Sequence, residues 1–102
     1  MRVTAAKYRS TVQEHLRRFR PEEYKRAKRD GDLDRRVNDL AASIATWVNS
    51  QLPSVVPGES ENERLRKEHF ALLMAESDAY REYLPRDERE EELIGPNGGY
   101  ED

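Results

Sequence analysis

The chain has 102 residues, of which 35% are hydrophobic and 38% are charged, and its formal net charge is −3. This length predicts a single domain, and this composition predicts a small core. Because the chain has no cysteine, disulfides, thiolate zinc sites and cysteine nucleophiles are excluded. No apolar run approaches the roughly 20 residues that span a bilayer, and the N-terminal segment lacks the apolar stretch of a signal peptide. We therefore expect a cytoplasmic protein that does not enter a membrane.

Charge is distributed unevenly along the chain. Residues 1–36 contain 12 basic and 6 acidic residues, a net charge of +6, whereas residues 37–102 contain 6 basic and 15 acidic residues, a net charge of −9. The first third is therefore suited to an anionic partner. The acidic remainder is suited to a basic partner, or it keeps the chain soluble.

Two amphipathic segments separated by Pro21 are the first predicted helices. The first covers residues 4–19, with Thr4 as its N-cap. Its apolar side consists of Ala5, Tyr8, Val12, His15, Leu16 and Phe19. Proline suits the first position of a helix and glycine follows helix ends, so a short second helix is predicted over residues 21–29, before Gly31.

The third predicted helix, from Leu33 to about Gln51, has the clearest pattern. Asp32 precedes it as a candidate N-cap. We expect Trp47, the largest apolar group on its inner face, to be largely buried against the fourth helix. A loop over residues 53–59, with two prolines and a glycine, follows. The inner face consists of Leu33, Val37, Leu40, Ala41, Ile44, Trp47, Val48 and Leu52.

The fourth predicted helix begins after Ser60, which forms a capping box with Glu63, and ends before Pro85. Its predicted core stripe consists of Leu65, Leu72, Leu73, Ala79, Tyr80 and Tyr83.

His69 and Glu76 also fall inside this stripe. One interpretation is a polar pocket or metal site shared with His15. The other is a core glutamate whose charge is satisfied or a residue at the edge of the stripe. It is favoured because no Glu-x-x-His or His-x-x-x-His pairing supports a metal.

These elements predict an all-α fold, a small up-down bundle of three main helices plus one short helix. The bundle domain covers residues 1–84, and a flexible acidic C-terminal tail covers residues 85–102. Leu93 and Ile94 follow the acidic run of the tail. They form either a partner-docking segment that orders on binding or part of a solubilising tail.

A basic cluster at the end of the first helix and along the second is the best candidate for contact with an anion or a nucleic acid. Glu14, Glu22, Glu23 and Asp30 interrupt it, and neither zinc-finger nor clear helix-turn-helix spacing is present. A solvated helical face is therefore the alternative interpretation. The cluster consists of Arg17, Arg18, Arg20, Lys25, Arg26, Lys28 and Arg29.

No pattern of catalytic residues is recognisable. The chain has neither a glycine-rich phosphate loop nor a nucleophile elbow, and its serines lack an identifiable base. We therefore expect a protein that is not an enzyme and that needs neither cofactor nor metal.

The run from Leu16 to Tyr24, followed by Gly31-Asp32-Leu33, resembles the opening of the small TnpV-like proteins of conjugative transposons and phages. The run from Ala75 to Leu84 resembles their closing helix, so the resemblance covers about residues 12 to 84. It implies a mobile-element or phage context and supplies no functional residue.

The leading functional hypothesis is a small accessory or adaptor protein that binds another macromolecule, first of all a protein, and homo-oligomerisation stays open. One alternative is a nucleic-acid-binding protein that uses the surface from Arg17 to Arg29. Another is an anti-defence inhibitor whose acidic tail occupies a basic groove on its target.

Overall fold

The computed structural model describes residues 2–90. Every regular element within this range is helical, which confirms the predicted all-α class. Residues 88–90 are helical as well. The elements are a 3-10 turn at Ala5–Tyr8 and the helices α1 (Arg9–Phe19), α2 (Pro21–Asp30), α3 (Leu33–Gln51) and α4 (Glu61–Tyr83).

Helix α3 is the centre of the bundle, because the 3-10 turn and the helices α1, α2 and α4 all pack against it. Helix α2 also packs against α1 but contributes no fully buried residue. The core therefore lies between α3 and two flanking layers, one made by the 3-10 turn with α1 and the other by α4. Its buried side chains are Tyr8, Val12, Leu16, Val37, Ala41, Ile44, Ala45, Val48, Leu72, Ala75 and Ala79.

Local sequence signals set most of the helix ends. Pro21 occupies the first turn of α2, and Gly31 ends that helix in the left-handed conformation, with φ of 78°. The Ser60 side chain accepts a hydrogen bond of 3.1 Å from the Glu63 backbone N–H. Each of these three positions has the role that its residue type predicts.

Two predicted caps are wrong, since neither Thr4 nor Asp32 makes a side-chain capping hydrogen bond. Instead, the carboxylate of Asp32 pairs with Arg35 at 3.4 Å. The first segment starts as a 3-10 turn and is held by Asn49 at the end of α3. The Asn49 amide accepts from the Val3 N–H at 2.8 Å and donates to the Val3 carbonyl at 2.9 Å.

Trp47 lies at the edge of the core, where it is partly buried. Its ring meets Tyr83 of α4 edge-on, with the ring centroids 6.3 Å apart. The indole N–H is buried and has no hydrogen-bond partner among residues 2–90. Truncating this side chain is therefore expected to cost less than the about 3–5 kcal/mol of a fully buried tryptophan.

The predicted core stripe of α4 is partly wrong. Leu65 and Leu73 are 51% and 53% exposed, and His69 is exposed as well. The residues that α4 buries are Glu68, Leu72, Ala75 and Ala79. Small alanine side chains permit a close approach of two helices, and α3 likewise buries the alanines at positions 41 and 45. Because α4 turns Glu68, Leu72, Ala75 and Ala79 to the core, several of its larger apolar side chains lie outside it.

The first residues after α4 return to the α1–α2 junction. The carbonyl of Pro85 lies 2.7 Å from His15 Nε2, and the carbonyl of Arg86 accepts a hydrogen bond of 2.8 Å from Arg20. The beginning of the predicted tail therefore packs on the bundle. Leu93 and Ile94 lie outside the described residues.

Candidate functional site

The most distinctive surface of the described chain is apolar. Every exposed large hydrophobic side chain within residues 2–90 belongs to the segment from Val55 to Met74. Phe70 is the most exposed of them, at 68%. We refer to Phe70, Leu73 and Met74, which lie on one side of α4, as the apolar surface. The other exposed large hydrophobic residues are Val55, Val56 and Leu65.

Helix α4 places four of these side chains outside the core. Phe70 and Met74 are one turn apart, as are Phe70 and Leu73, so these three side chains are neighbours on the helix surface. The buried Leu72 and Ala75 interleave with them and face α3. A single helix therefore has two apolar sides, of which α3 covers only one.

An ion pair fixes the loop that leads into α4. Lys67 Nζ lies 2.7 Å from Glu59, whose side chain is only 12% exposed. The hydrogen bond from Lys67 lowers the pKa of Glu59 below its ordinary value. Gly58 adopts a φ of 85°, which favours glycine, immediately before this pair. The N-terminal end of α4 is thus held against its preceding loop.

The predicted basic cluster does not form one free cationic surface. Arg17 Nε donates a hydrogen bond of 3.1 Å to Glu14, and Arg20 pairs with Glu23. The guanidinium of Arg18 lies over the Phe19 ring, 5.3 Å from its centroid. These three arginines are therefore engaged by neighbours within α1 and the start of α2.

The remaining members of the cluster lie on α2. Lys25, Lys28 and Arg29 fall on the outer side of this helix and are exposed. Arg29 lies 3.4 Å from Asp30. Arg26 is exposed as well, and it lines a cleft between α2 and α3. Six of the seven members of the cluster are nevertheless exposed, and Arg20 is partly buried.

The cleft between α2 and α3 has a volume of about 290 Å³ and mixed charge. Glu23 lines this cleft and accepts a hydrogen bond of 2.9 Å from Arg36 in addition to its contact with Arg20. Because basic and acidic side chains alternate around it, the cleft has no strong preference for an anion or a cation. Its lining consists of Glu23, Arg26, Ala27, Asp30, Asp32, Arg35, Arg36 and Asp39.

Glu23 makes the stability of the fold dependent on pH. Burial acts to raise the pKa of Glu23, but the hydrogen bond from Arg20 and the charge of Arg36 outweigh burial and lower it. A lowered folded pKa stabilises the fold at pH above the unfolded pKa, and this stabilisation is lost as the pH falls through the folded pKa. We expect the free energy of unfolding of Glu23→Gln to fall less than that of the unmodified chain between about pH 6 and about pH 3.

Urea denaturation across this pH range measures that difference. Glu22→Gln is the matched control, since it removes a neighbouring carboxylate that is exposed. The carboxylate that Arg20 and Arg36 contact, that of Glu23, is left in place. Equal acid dependence in Glu23→Gln and in the unmodified chain would contradict the role given to Glu23.

The structure does not bring His15, His69 and Glu76 together. Glu76 accepts a hydrogen bond of 2.8 Å from the Tyr8 hydroxyl and lies 3.7 Å from Lys7 Nζ. His15 contacts Pro85, whereas His69 is exposed on α4. Glu76 is therefore a largely buried glutamate whose charge is satisfied, which was the favoured interpretation. Within residues 2–90, no cluster of three or more His, Asp or Glu side chains is arranged to hold a metal.

One contact that sequence reasoning missed is at the start of α2. The two oxygens of the Glu88 carboxylate accept hydrogen bonds from the backbone N–H groups of Glu22 and Glu23, at 3.1 and 2.9 Å. These N–H groups have no partner inside their own helix, and the positive helix start favours a carboxylate. The acidic run after Pro85 was the only available signal, and it did not identify which acid binds.

No family model, no curated protein and no solved structure matches this chain. Within residues 2–90, no helix has the length and apolar character needed to cross a membrane.

Proposed function

We propose that this protein is a small non-enzymatic adaptor that binds another polypeptide through its apolar surface. It acts as an accessory protein of the mobile-element or phage kind that the TnpV-like resemblance implies. It acts by binding its partner and catalyses no reaction.

The exposure of Phe70, Leu73 and Met74 on one helix is the observation that supports this proposal. Exposed apolar side chains that cluster, in contrast to isolated ones, are typical of surfaces that bind proteins. Aromatic residues and methionine are enriched in such interfaces, and an amphipathic helix face is a common recognition element. Because the fold leaves these side chains in water, a polypeptide that covers them gains the free energy of their burial.

Site-specific photo-crosslinking tests the proposal. A photoreactive phenylalanine analogue replaces Phe70 in the full chain, which is expressed in its native cells and then irradiated. The matched control carries the same analogue at Gln13, an exposed position on α1. We expect covalent polypeptide adducts from position 70 and none from position 13. Absence of adducts from position 70, or equal adducts from both positions, would contradict the proposal.

A second candidate function, nucleic-acid binding, is supported by the exposed side chains of Lys25, Lys28 and Arg29 on α2. Contacts of lysine and arginine with phosphates weaken steeply as salt rises. This candidate predicts that duplex DNA or RNA binds at low salt and is released near physiological salt. A gel-shift titration without a complex at low salt would eliminate it, and the engagement of Arg17 and Arg20 by carboxylates makes this negative result the expected one.

The anti-defence alternative depends on the acidic tail. Its docking residues, Leu93 and Ile94, lie outside the described residues, so this alternative stays a prediction.

A further inference from the structure

We propose that the partner which covers α4 is a second copy of this chain, paired antiparallel to the first through α4. This inference rests on the proposed function, because it assumes that the apolar surface binds a polypeptide. It goes further by naming that polypeptide and its orientation.

Helix α4 contains a second stripe that α3 does not use. Its positions alternate in steps of four and three residues, which is the heptad spacing by which two helices pack along their length. Phe70 and Met74 occupy the middle of the stripe, and both are more than half exposed, at 68% and 52%. We call this set the outer stripe, and it consists of Glu63, Lys67, Phe70, Met74, Ser77 and Arg81.

The outer stripe is symmetric about the level of Leu72. Phe70 and Met74 are equidistant from Leu72 in sequence, and so are Glu63 and Arg81. A two-fold axis at this level therefore places Phe70 of one copy against Met74 of the other. Thioether sulfur and aromatic rings make favourable contacts, so the centre of this pairing is apolar and complementary.

The ends of the stripe are complementary in charge. The same axis places Glu63 of one copy opposite Arg81 of the other, and it does so twice. The axis places Lys67, which is paired with Glu59 in its own chain, opposite Ser77. A parallel pairing would instead place Glu63 against Glu63 and Arg81 against Arg81, so the charges select the antiparallel orientation.

The in-chain contacts of these residues leave the pairing sterically open. Five of the six stripe residues are exposed, namely Glu63, Phe70, Met74, Ser77 and Arg81. The sixth, Lys67, is partly buried and paired with Glu59. Arg81 makes an in-helix contact with Asp78, at 3.6 Å, and its side chain is 77% exposed. Self-complementarity of both the apolar centre and the charged ends is what an isologous interface requires.

Sedimentation analysis of the full chain over a wide concentration range tests the inference. We expect a concentration-dependent species of twice the monomer mass, and we expect Phe70→Glu to abolish it. Because Phe70 lies outside the core, circular dichroism of this variant should match that of the unmodified chain.

Charge exchange tests the orientation. Arg81→Glu alone and Glu63→Arg alone each create two like-charge pairs, and each should raise the dissociation constant of the dimer at least about tenfold. The double variant Glu63→Arg with Arg81→Glu restores opposite charges and should return the constant to within about threefold of the original. Glu82→Arg, an exposed position outside the stripe, is the control and should leave the dimer unchanged.

Three results would overturn the inference: a monomer at every concentration, a dimer that is unaffected by Phe70→Glu, or a double variant as weak as its parents. The crosslinking experiment separates this failure from failure of the proposed function. Adducts from position 70 of a mass other than twice the chain would support an adaptor for a different protein, whereas absence of any adduct would contradict both.

Discussion

Replacing Leu72 with alanine is expected to lower the free energy of unfolding by about 2–5 kcal/mol. Leu72 is 9% exposed and packs in the core with Ala75 and Ala79. Leu73, its neighbour, is 53% exposed, so Leu73→Ala should change the free energy of unfolding by less than about 0.5 kcal/mol. The pair is a matched comparison, since both variants remove the same atoms from the same helix.

Urea denaturation at low protein concentration measures both values without a contribution from self-association. Similar losses from the two variants would contradict the orientation of α4, because that result requires both leucines to lie in the core.

Replacing Tyr8 with phenylalanine is expected to lower the free energy of unfolding by about 1–3 kcal/mol. The Tyr8 side chain is 1% exposed, and its hydroxyl donates a hydrogen bond of 2.8 Å to Glu76. Burial, followed by this hydrogen bond, raises the pKa of Tyr8, so the hydroxyl keeps its proton and remains a donor. Without that donor, the Glu76 carboxylate loses a hydrogen bond while its side chain is only 16% exposed to water. Its ion pair with Lys7, at 3.7 Å, remains.

A double-mutant cycle isolates this contact. We expect Tyr8→Phe to cost clearly less in a Glu76→Gln background, because the buried charge is then absent. Tyr24→Phe controls for the loss of a hydroxyl from a partly buried tyrosine. Equal costs of Tyr8→Phe in both backgrounds would show that the hydrogen bond does not stabilise the fold.

Helix number and most helix boundaries could be predicted from the sequence, because local residues determine them. Pro21 begins α2, Gly31 ends it, and Ser60 caps α4, and each acts through the backbone within a few positions. The prediction that Thr4 and Asp32 are N-caps was wrong for an equally local reason. Both have cap-forming side chains, but Asp32 pairs with Arg35 and a 3-10 turn precedes α1.

The orientation of α4 could not be predicted, since its apolar residues lie around much of its circumference. The leucines at 65 and 73 were assigned to the core because helical spacing placed them on the same side as Leu72. The orientation depends on packing against α3, which buries Glu68, Leu72, Ala75 and Ala79 of α4 and not Leu65 or Leu73. The candidate site was missed because Leu73 was assigned to the core, whereas Phe70 and Met74 were not singled out.

Contacts between distant parts of the chain could not be predicted from the sequence either. Tyr8 and Glu76 are separated by 68 positions, and Glu23 and Glu88 by 65. The sequence identified Glu76 as a charge that needs a partner but gave no means of choosing Tyr8. The sequence likewise showed a helix start at Pro21 and an acidic segment after Pro85. It did not indicate that a carboxylate of this segment binds the backbone N–H groups at that helix start.

The most direct test of the outward orientation of α4 is the rate of thiol alkylation at single cysteines, since the chain has none of its own. Phe70→Cys, Leu72→Cys and Leu73→Cys are labelled separately, at low protein concentration, and compared with the urea-unfolded chain. The structure predicts that the thiols at 70 and 73 react at nearly the unfolded rate, whereas the thiol at 72 reacts at least about a hundredfold more slowly. Protection of positions 70 and 73 equal to that of position 72 in the monomer would contradict the apolar surface on which both proposals depend.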